Sequence, residues 1–178
     1  DKQDCENAAA KRWISQYAER YGKLEVTLLG DDLYSRQPLC EHTLAAGLSF
    51  IFVCKPSSHQ TLYEWLDGLS ATQAMHTLTQ KRRKGKRQEQ DTYRFANFLP
   101  LRDGRGAMEV NWCELTTTDS DGNILYCNAF VSNHIIHAGN VVAIVQAGRA
   151  RWKVENENNN TLKTQGYHLT HNFGHGKQ

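Results

Sequence analysis

Two patterns of apolar residues organise the first part of the chain. The near-continuous apolar runs Leu24–Gly30 and Ser49–Cys54 predict strands that are buried on both faces. Segments typical of helices lie before, between and after these strands, and we predict helices over Asp4–Arg20, Pro38–Ala46 and His59–Leu69. Because fully apolar strands alternate with helices, we expect an α/β fold in which helices cover a parallel or mixed sheet.

The middle of the chain has a different character. A basic run at residues 81–87 precedes three β-like stretches, and a turn signal at Asp119–Asn123 separates the last two. The three stretches are Thr92–Leu99, Met108–Thr117 and Ile124–Ser132. We interpret residues 81–136 as a β-rich antiparallel insertion with a basic loop, after which the pattern turns helical again from Ala138.

Composition narrows the class of protein. The net charge of the 178 residues is only +2, so affinity for nucleic acid would depend on where the charges lie. No apolar stretch has the roughly 18 residues that a membrane helix needs, and the start lacks the apolar segment of a signal peptide. The five cysteines form no C-x-x-C pair, which disfavours a disulfide framework and a zinc ribbon. We therefore expect a cytoplasmic protein with reduced thiols.

Two adjacent acids, Asp31 and Asp32, directly follow the first predicted strand. In open α/β sheets, ligands and metals bind in the crevice beyond the carboxyl ends of the strands. An acid at this position is held by a rigid element and is still open to solvent. The pair by itself favours a simpler interpretation, in which the two acids form a solvated turn or cap the next helix.

A second group of candidate residues lies near the carboxyl end of the chain. On a helix, Arg151 and Glu155 would be one turn apart and face the same way. A carboxylate held beside an arginine stays ionised, as a magnesium ligand must. An ordinary surface ion pair has the same spacing, so the residues alone leave both interpretations open.

Histidines and clustered cations form two weaker patterns. His168, His171 and His175 have a spacing that would converge on a zinc ion if they were helical, but the glycines among them disfavour a continuous helix. The basic run at residues 81–87 suits contacts with phosphates, although solvated loops often have the same composition.

Several of these segments together resemble the sequence of a known protein family. Gly30–Ser35, Lys55–His59 and Arg149–Glu157, with the tail Leu162–Gly176, resemble a bacterial insertion-sequence transposase, and Gln3–Trp13 resembles the stretch before the second catalytic aspartate in that group. The resemblance covers nearly the whole chain. Its Arg-Trp-x-Val-Glu-Asn core, with the Gly-Tyr-His-Leu tail, is highly specific.

The resemblance implies a DDE enzyme with an RNase H-like fold, whose catalytic core is interrupted by a β-rich insertion. The two parts of the core would be residues 1–80 and 137–178. The second catalytic aspartate maps to Asp31, with Asp32 as the alternative. The final glutamate maps to Glu155, with Glu157 as the alternative.

The resemblance also implies the cofactor and the partners. Asp31 and Glu155 would be ligands in a two-metal site for Mg²⁺ or Mn²⁺ that cuts a phosphodiester and then transfers the freed strand. Double-stranded DNA, at the ends of the element and at the target, would be the substrate, and synapsis of two ends implies a homodimer. The residues expected to contact DNA are Arg151, Lys163, Lys81, Arg82, Arg83, Lys84, Lys86 and Arg87.

Two departures from the family pattern affect the expected activity. No aspartate at a strand end precedes Asp31, so the first of the three acids is missing, and Gly148 occupies the position of a tyrosine that faces DNA in related enzymes. We therefore expect a fragment of the catalytic domain that is inactive alone. A DNA-binding module that cuts nothing and a decayed relic of the element are the alternative interpretations.

Overall fold

The computed structural model describes residues 5–72, 74–85 and 87–153. Of the described residues, those up to Gly148 belong to one compact unit, and residues 149–153 belong to a second. The helices are α1 (Glu6–Gly22), α2 (Gln37–Ala45), α3 (Gln60–Ala71) and α4 (Val141–Lys153), with a 3₁₀ turn at Pro56–Ser58. The strands are β1 (Thr27–Gly30), β2 (Ser49–Val53), β3 (His76–Lys84), β4 (Arg87–Pro100), β5 (Glu109–Asp119) and β6 (Ile124–Ser132).

The six strands form one mixed sheet in the order β1-β2-β6-β5-β4-β3. Only β1 and β2 are parallel, and every other pair in this sheet is antiparallel. The two regions that the sequence distinguishes are joined where β6 pairs with β2, with Val131 opposite Phe52. The mixed α/β class predicted from the sequence is therefore confirmed.

Both faces of the central strands are buried, which explains the unbroken apolar run of β2. Phe50 and Phe52 point to one face, where they join Leu62 and Leu66 of α3. The alternate residue Ile51 lies on the other face, in the cluster that contains the apolar side chains of α4. Since successive side chains of a strand point in opposite directions, a strand between two helical layers needs apolar residues at every position.

The predicted elements agree with the structure to within a few residues, with one exception. Strand β3 was not predicted, and the basic run forms the end of β3, a turn at Gly85 and the start of β4 rather than an irregular loop. β3 is an edge strand, and lysine and arginine are the residues with which natural sheets protect an edge. Its polar sequence therefore lacks the alternation by which half-buried strands are recognised.

None of the helices in the described ranges combines the length and the apolar character needed to cross a bilayer.

Candidate active site

The candidate site begins where β1 ends. Gly30 is the last residue of β1, and a Cβ placed there would lie 2.8 Å from the ring of Phe52 and 2.9 Å from the Cβ of Tyr34. Both distances are shorter than any normal contact, so only glycine allows the chain to turn this closely against β2. The turn brings Asp31 and Asp32 to the carboxyl end of the parallel strand pair.

Asp32 ties the end of β1 to the segment that follows β2. Its Oδ1 accepts a hydrogen bond of 2.7 Å from the backbone N–H of Lys55, and its Oδ2 accepts one from the hydroxyl of Ser58. The ring of His59 lies 3.9 Å from the same Oδ1. The Asp32 side chain is only 17% exposed. Its two oxygens thus serve mainly to hold two loops together.

Asp31 is bonded differently. One of its oxygens, Oδ1, accepts a hydrogen bond of 2.9 Å from the backbone N–H of Leu33, and its backbone carbonyl accepts one from Tyr34. The residue is partly exposed, and within the described ranges no donor reaches its second carboxylate oxygen. The carboxylate is therefore oriented by the turn and still has an oxygen that can bind a metal ion.

Within the described ranges, Asp31 is not part of a larger cluster of metal-binding side chains. No group of three or more histidine, cysteine, aspartate or glutamate side chains is close enough there to hold a metal ion. Glu155 and its alternative Glu157 lie outside the described residues, as do the three tail histidines. A carboxylate oxygen is the right type of ligand for Mg²⁺, so Asp31 fits the implied cofactor as one ligand among several.

A buried serine and histidine lie behind the acids. The hydroxyl of Ser35 and Nε2 of His59 form a hydrogen bond of 2.7 Å, and the Ser35 hydroxyl also donates to the backbone carbonyl of Asp32. Ser35 is fully buried and His59 is 4% exposed. Burial lowers the pKa of His59, although the Asp32 carboxylate opposes the shift. The imidazole is therefore neutral at physiological pH.

This group does not have the geometry of a hydrolytic triad. In such a triad the acid orients the imidazole through one nitrogen while the other activates the serine. Here Ser35 and Asp32 both approach Nε2 of His59, and Ser35 has no access to a substrate. The group holds the turn after β1 against the segment after β2.

The thiol next to the site cannot act as a nucleophile at neutral pH. Cys54 directly follows β2 and is 1% exposed. Burial raises the pKa of Cys54 well above its ordinary value, so the thiol stays protonated. The hydroxyl of the neighbouring Tyr63 donates to the backbone carbonyl of Cys54 at 2.9 Å.

The basic hairpin presents fewer available cations than its sequence suggests. The guanidinium of Arg82 forms ion pairs with Glu89 at 2.8 Å and with Asp91 at 3.2 Å. Both carboxylates are buried, so Arg82 is part of the structure of the hairpin. Lys81 and Arg83 are exposed. The side chains of Lys84 and Arg87, and all of Lys86, lie outside what the structure describes.

The carboxyl-terminal candidates are described only in part. Arg151 lies in the last turn of α4 and is partly exposed, whereas Lys163 falls outside the described ranges. At Gly148, an added Cβ would lie 2.6 Å from the ring of Phe130 and 3.1 Å from Ile51. The helix packs so closely on the sheet here that even an added methyl group would force neighbouring atoms to shift, and a tyrosine would clash much more.

Of the residues around this site, the sequence predicted a role only for Asp31 and Asp32. Ser58 and His59 were noted within a motif, without a role, and Ser35 likewise. The signal that indicates them is their position after the second apolar strand. The carboxyl ends of two parallel neighbours lie side by side, so polar residues that follow one strand meet those that follow the other.

Comparison with known proteins adds no assignment, because neither the protein-family models nor the curated protein sequences give a match to this chain.

Proposed function

We propose that the chain is part of a DNA transposase of the DDE type, which hydrolyses phosphodiesters and transfers strands at the ends of an insertion sequence. The observation that carries the proposal is the carboxylate of Asp31 at the carboxyl end of a parallel strand pair, with one oxygen oriented by the turn and the other available. The motifs that resemble insertion-sequence transposases supply the reaction type.

In this proposal, adjacent acids have different tasks. Asp31 is a metal ligand, and Asp32 keeps the turn that carries it in place through Lys55 and Ser58. Glu155 provides the second carboxylate, as the resemblance implies. When bound, two Mg²⁺ or Mn²⁺ ions would supply charge stabilisation for the attacking and the leaving oxygens of the displacement.

The fold supports the proposal at a coarse level. The mixed sheet has helices packed on both faces, and antiparallel strands follow its parallel pair. This arrangement is compatible with an RNase H-like core interrupted by a β-rich insertion. Arg151 and Lys163 would then contact backbone phosphates. Double-stranded DNA, a homodimer in the synaptic complex and a location at the bacterial nucleoid complete the proposed setting.

The test is a DNA-cleavage assay with the protein encoded by the complete open reading frame that contains this chain. A plasmid carrying the coding segment with its flanking sequence is incubated with the protein and Mn²⁺. We expect strand cleavage that falls at least ~100-fold in Asp31→Asn and in Glu155→Gln, because each removes a metal ligand. Asp121→Asn, in the exposed turn between β5 and β6, is the matched control and should retain the activity. Cleavage that persists in Asp31→Asn would disprove the assignment.

A second candidate is a DNA-binding module that cuts nothing. It is favoured by the exposure of Lys81 and Arg83 near the tip of the β3–β4 hairpin. Under this alternative, the double variant Lys81→Gln/Arg83→Gln should abolish the binding of a labelled duplex, while Asp31→Asn and removal of Mn²⁺ change nothing. If the double variant binds DNA as the wild type does, this candidate fails.

A further inference from the structure

A polar cleft adjoins the loop that binds Asp32, since Ser58 belongs to both. It has a volume of about 450 Å³, and Arg36, Ser58, His59 and Arg102 contribute to its wall. No aspartate or glutamate is among the residues that line it. Its size falls in the range of roughly 300–1,000 Å³ typical of small-ligand sites. Since Arg36 and Arg102 are the arginine and lysine side chains of the lining and no acid is among it, the cleft attracts anions.

Both guanidinium groups are held in place and keep donors to spare. Nη1 of Arg36 donates to the backbone carbonyl of Ser58 at 2.7 Å. Arg102 donates through Nε to the side-chain oxygen of Gln37 at 2.8 Å, and through Nη1 and Nη2 to the carbonyls of Asp103 and Gly106. A guanidinium has five N–H groups, so with respect to the residues that the structure describes Arg36 keeps four and Arg102 keeps two for another acceptor.

The backbone around the cleft adds to its preference for anions. Helices α2 and α3 both begin there, with Gln37 and Gln60 among the residues of the wall. Neither helix has an acidic residue in its first turn or a side-chain hydrogen bond that caps its start. Two fixed arginines with spare donors, in a cleft without acids, are the arrangement that recognises a phosphate group.

We propose that this cleft binds a phosphate of the DNA backbone next to the bond that is cut. The proposal rests on the proposed function, which makes DNA the substrate. Ser58 connects the two sites, because it lines the cleft and donates its hydroxyl to Asp32, the neighbour of Asp31. A phosphate bound by Arg36 and Arg102 positions the strand beside the Asp31 carboxylate.

The test compares three charge-neutralising variants in a duplex-binding titration by fluorescence anisotropy, with Ca²⁺ in place of Mn²⁺ to prevent cleavage. Arg36→Gln and Arg102→Gln should each weaken binding about 5–10-fold at low salt and lower the salt-dependence slope by about one. Arg105→Gln is the matched control, since Arg105 is exposed on the same loop as Arg102 but does not line the cleft. Its effect should stay below about twofold if its charge acts only at a distance.

Arg36→Gln is the deciding variant, because among the described residues the Arg36 guanidinium makes a single hydrogen bond, so its replacement should leave the fold intact. Arg36→Lys, which keeps the charge, should restore most of the affinity. If Arg36→Gln and Arg105→Gln weaken binding equally, the proposal is wrong. Competition by inorganic phosphate identifies the source of the ligand. If Arg36→Gln loses phosphate binding but binds DNA normally, the cleft takes a free phosphate and the DNA assignment fails.

The two proposals fail separately. Loss of duplex affinity in Arg36→Gln, together with undiminished cleavage in Asp31→Asn, would leave the cleft assigned and refute the catalytic role of Asp31. Loss of cleavage in Asp31→Asn with normal duplex binding in Arg36→Gln would support the catalytic role of Asp31 and refute the assignment of the cleft.

Discussion

Replacing Asp32 with alanine should destabilise the protein much more than replacing Asp31, although the two residues are adjacent. Asp32→Ala leaves the N–H of Lys55 and the hydroxyl of Ser58 without their acceptor. Asp31→Ala removes one acceptor, for the N–H of Leu33 in an exposed turn. The difference follows directly from the bonding of the two carboxylates.

The magnitude can be worked from these bonds. A hydrogen bond to a charged group contributes about 1.5–3 kcal/mol, but the Ser58 hydroxyl is only partly buried and can rebind water. We therefore expect Asp32→Ala to cost about 2–3 kcal/mol in the free energy of unfolding, or roughly 4–12 °C in Tm for a chain of this size. Asp31→Ala should cost about 0.5–1 kcal/mol.

Urea denaturation followed by circular dichroism measures both variants. Ser58→Ala, alone and combined with Asp32→Ala, completes a double-mutant cycle, in which we expect a coupling energy of about 0.5–3 kcal/mol. Equal destabilisation by the two aspartate variants, with no coupling between Asp32 and Ser58, would show that Asp32 has no structural task and would reopen the choice of metal ligand.

Three further predictions concern packing and charge. Burial lowers the pKa of His59 in the folded chain, so below the ordinary histidine pKa of 6.5 the unfolded chain takes up a proton there more readily than the folded chain does. The free energy of unfolding should therefore fall as the pH falls through this range. In thermal melts at several pH values, His59→Gln should make Tm depend less on pH. Gly148→Ala should lower Tm, because overpacking against Phe130 costs about 1–3 kcal/mol against a gain of about 1 kcal/mol in helix propensity. Gly68→Ala, where the added methyl meets nothing within 4 Å, should instead raise Tm, and the opposite ranking would refute the packing argument. Arg82→Ala should destabilise the hairpin by about 1–3 kcal/mol in urea denaturation, since it removes the cation that pairs with two buried carboxylates; an unchanged midpoint would contradict this role.

Local patterns were sufficient for most of the elements. The apolar runs predicted β1 and β2, helical composition and spacing predicted α1 to α4, and the turn signal at residues 119–123 placed the β5–β6 connection. The position of Asp31 after a buried strand followed from the same patterns. These features depend on neighbours along the chain, and neighbours are what a sequence displays directly.

The sequence by itself thus determined the α/β class, the helices, the apolar strands and the place of the two acids at a strand end. Only the tertiary structure decided that β6 lies between β2 and β5, that Arg82 is paired with acids, and that Asp32 rather than Asp31 binds the opposite loop. The physical reason is the separation of the interacting residues along the chain. Asp32 bonds to residues 23 and 26 positions away, and such contacts depend on how strands are ordered in the sheet, which no local periodicity encodes.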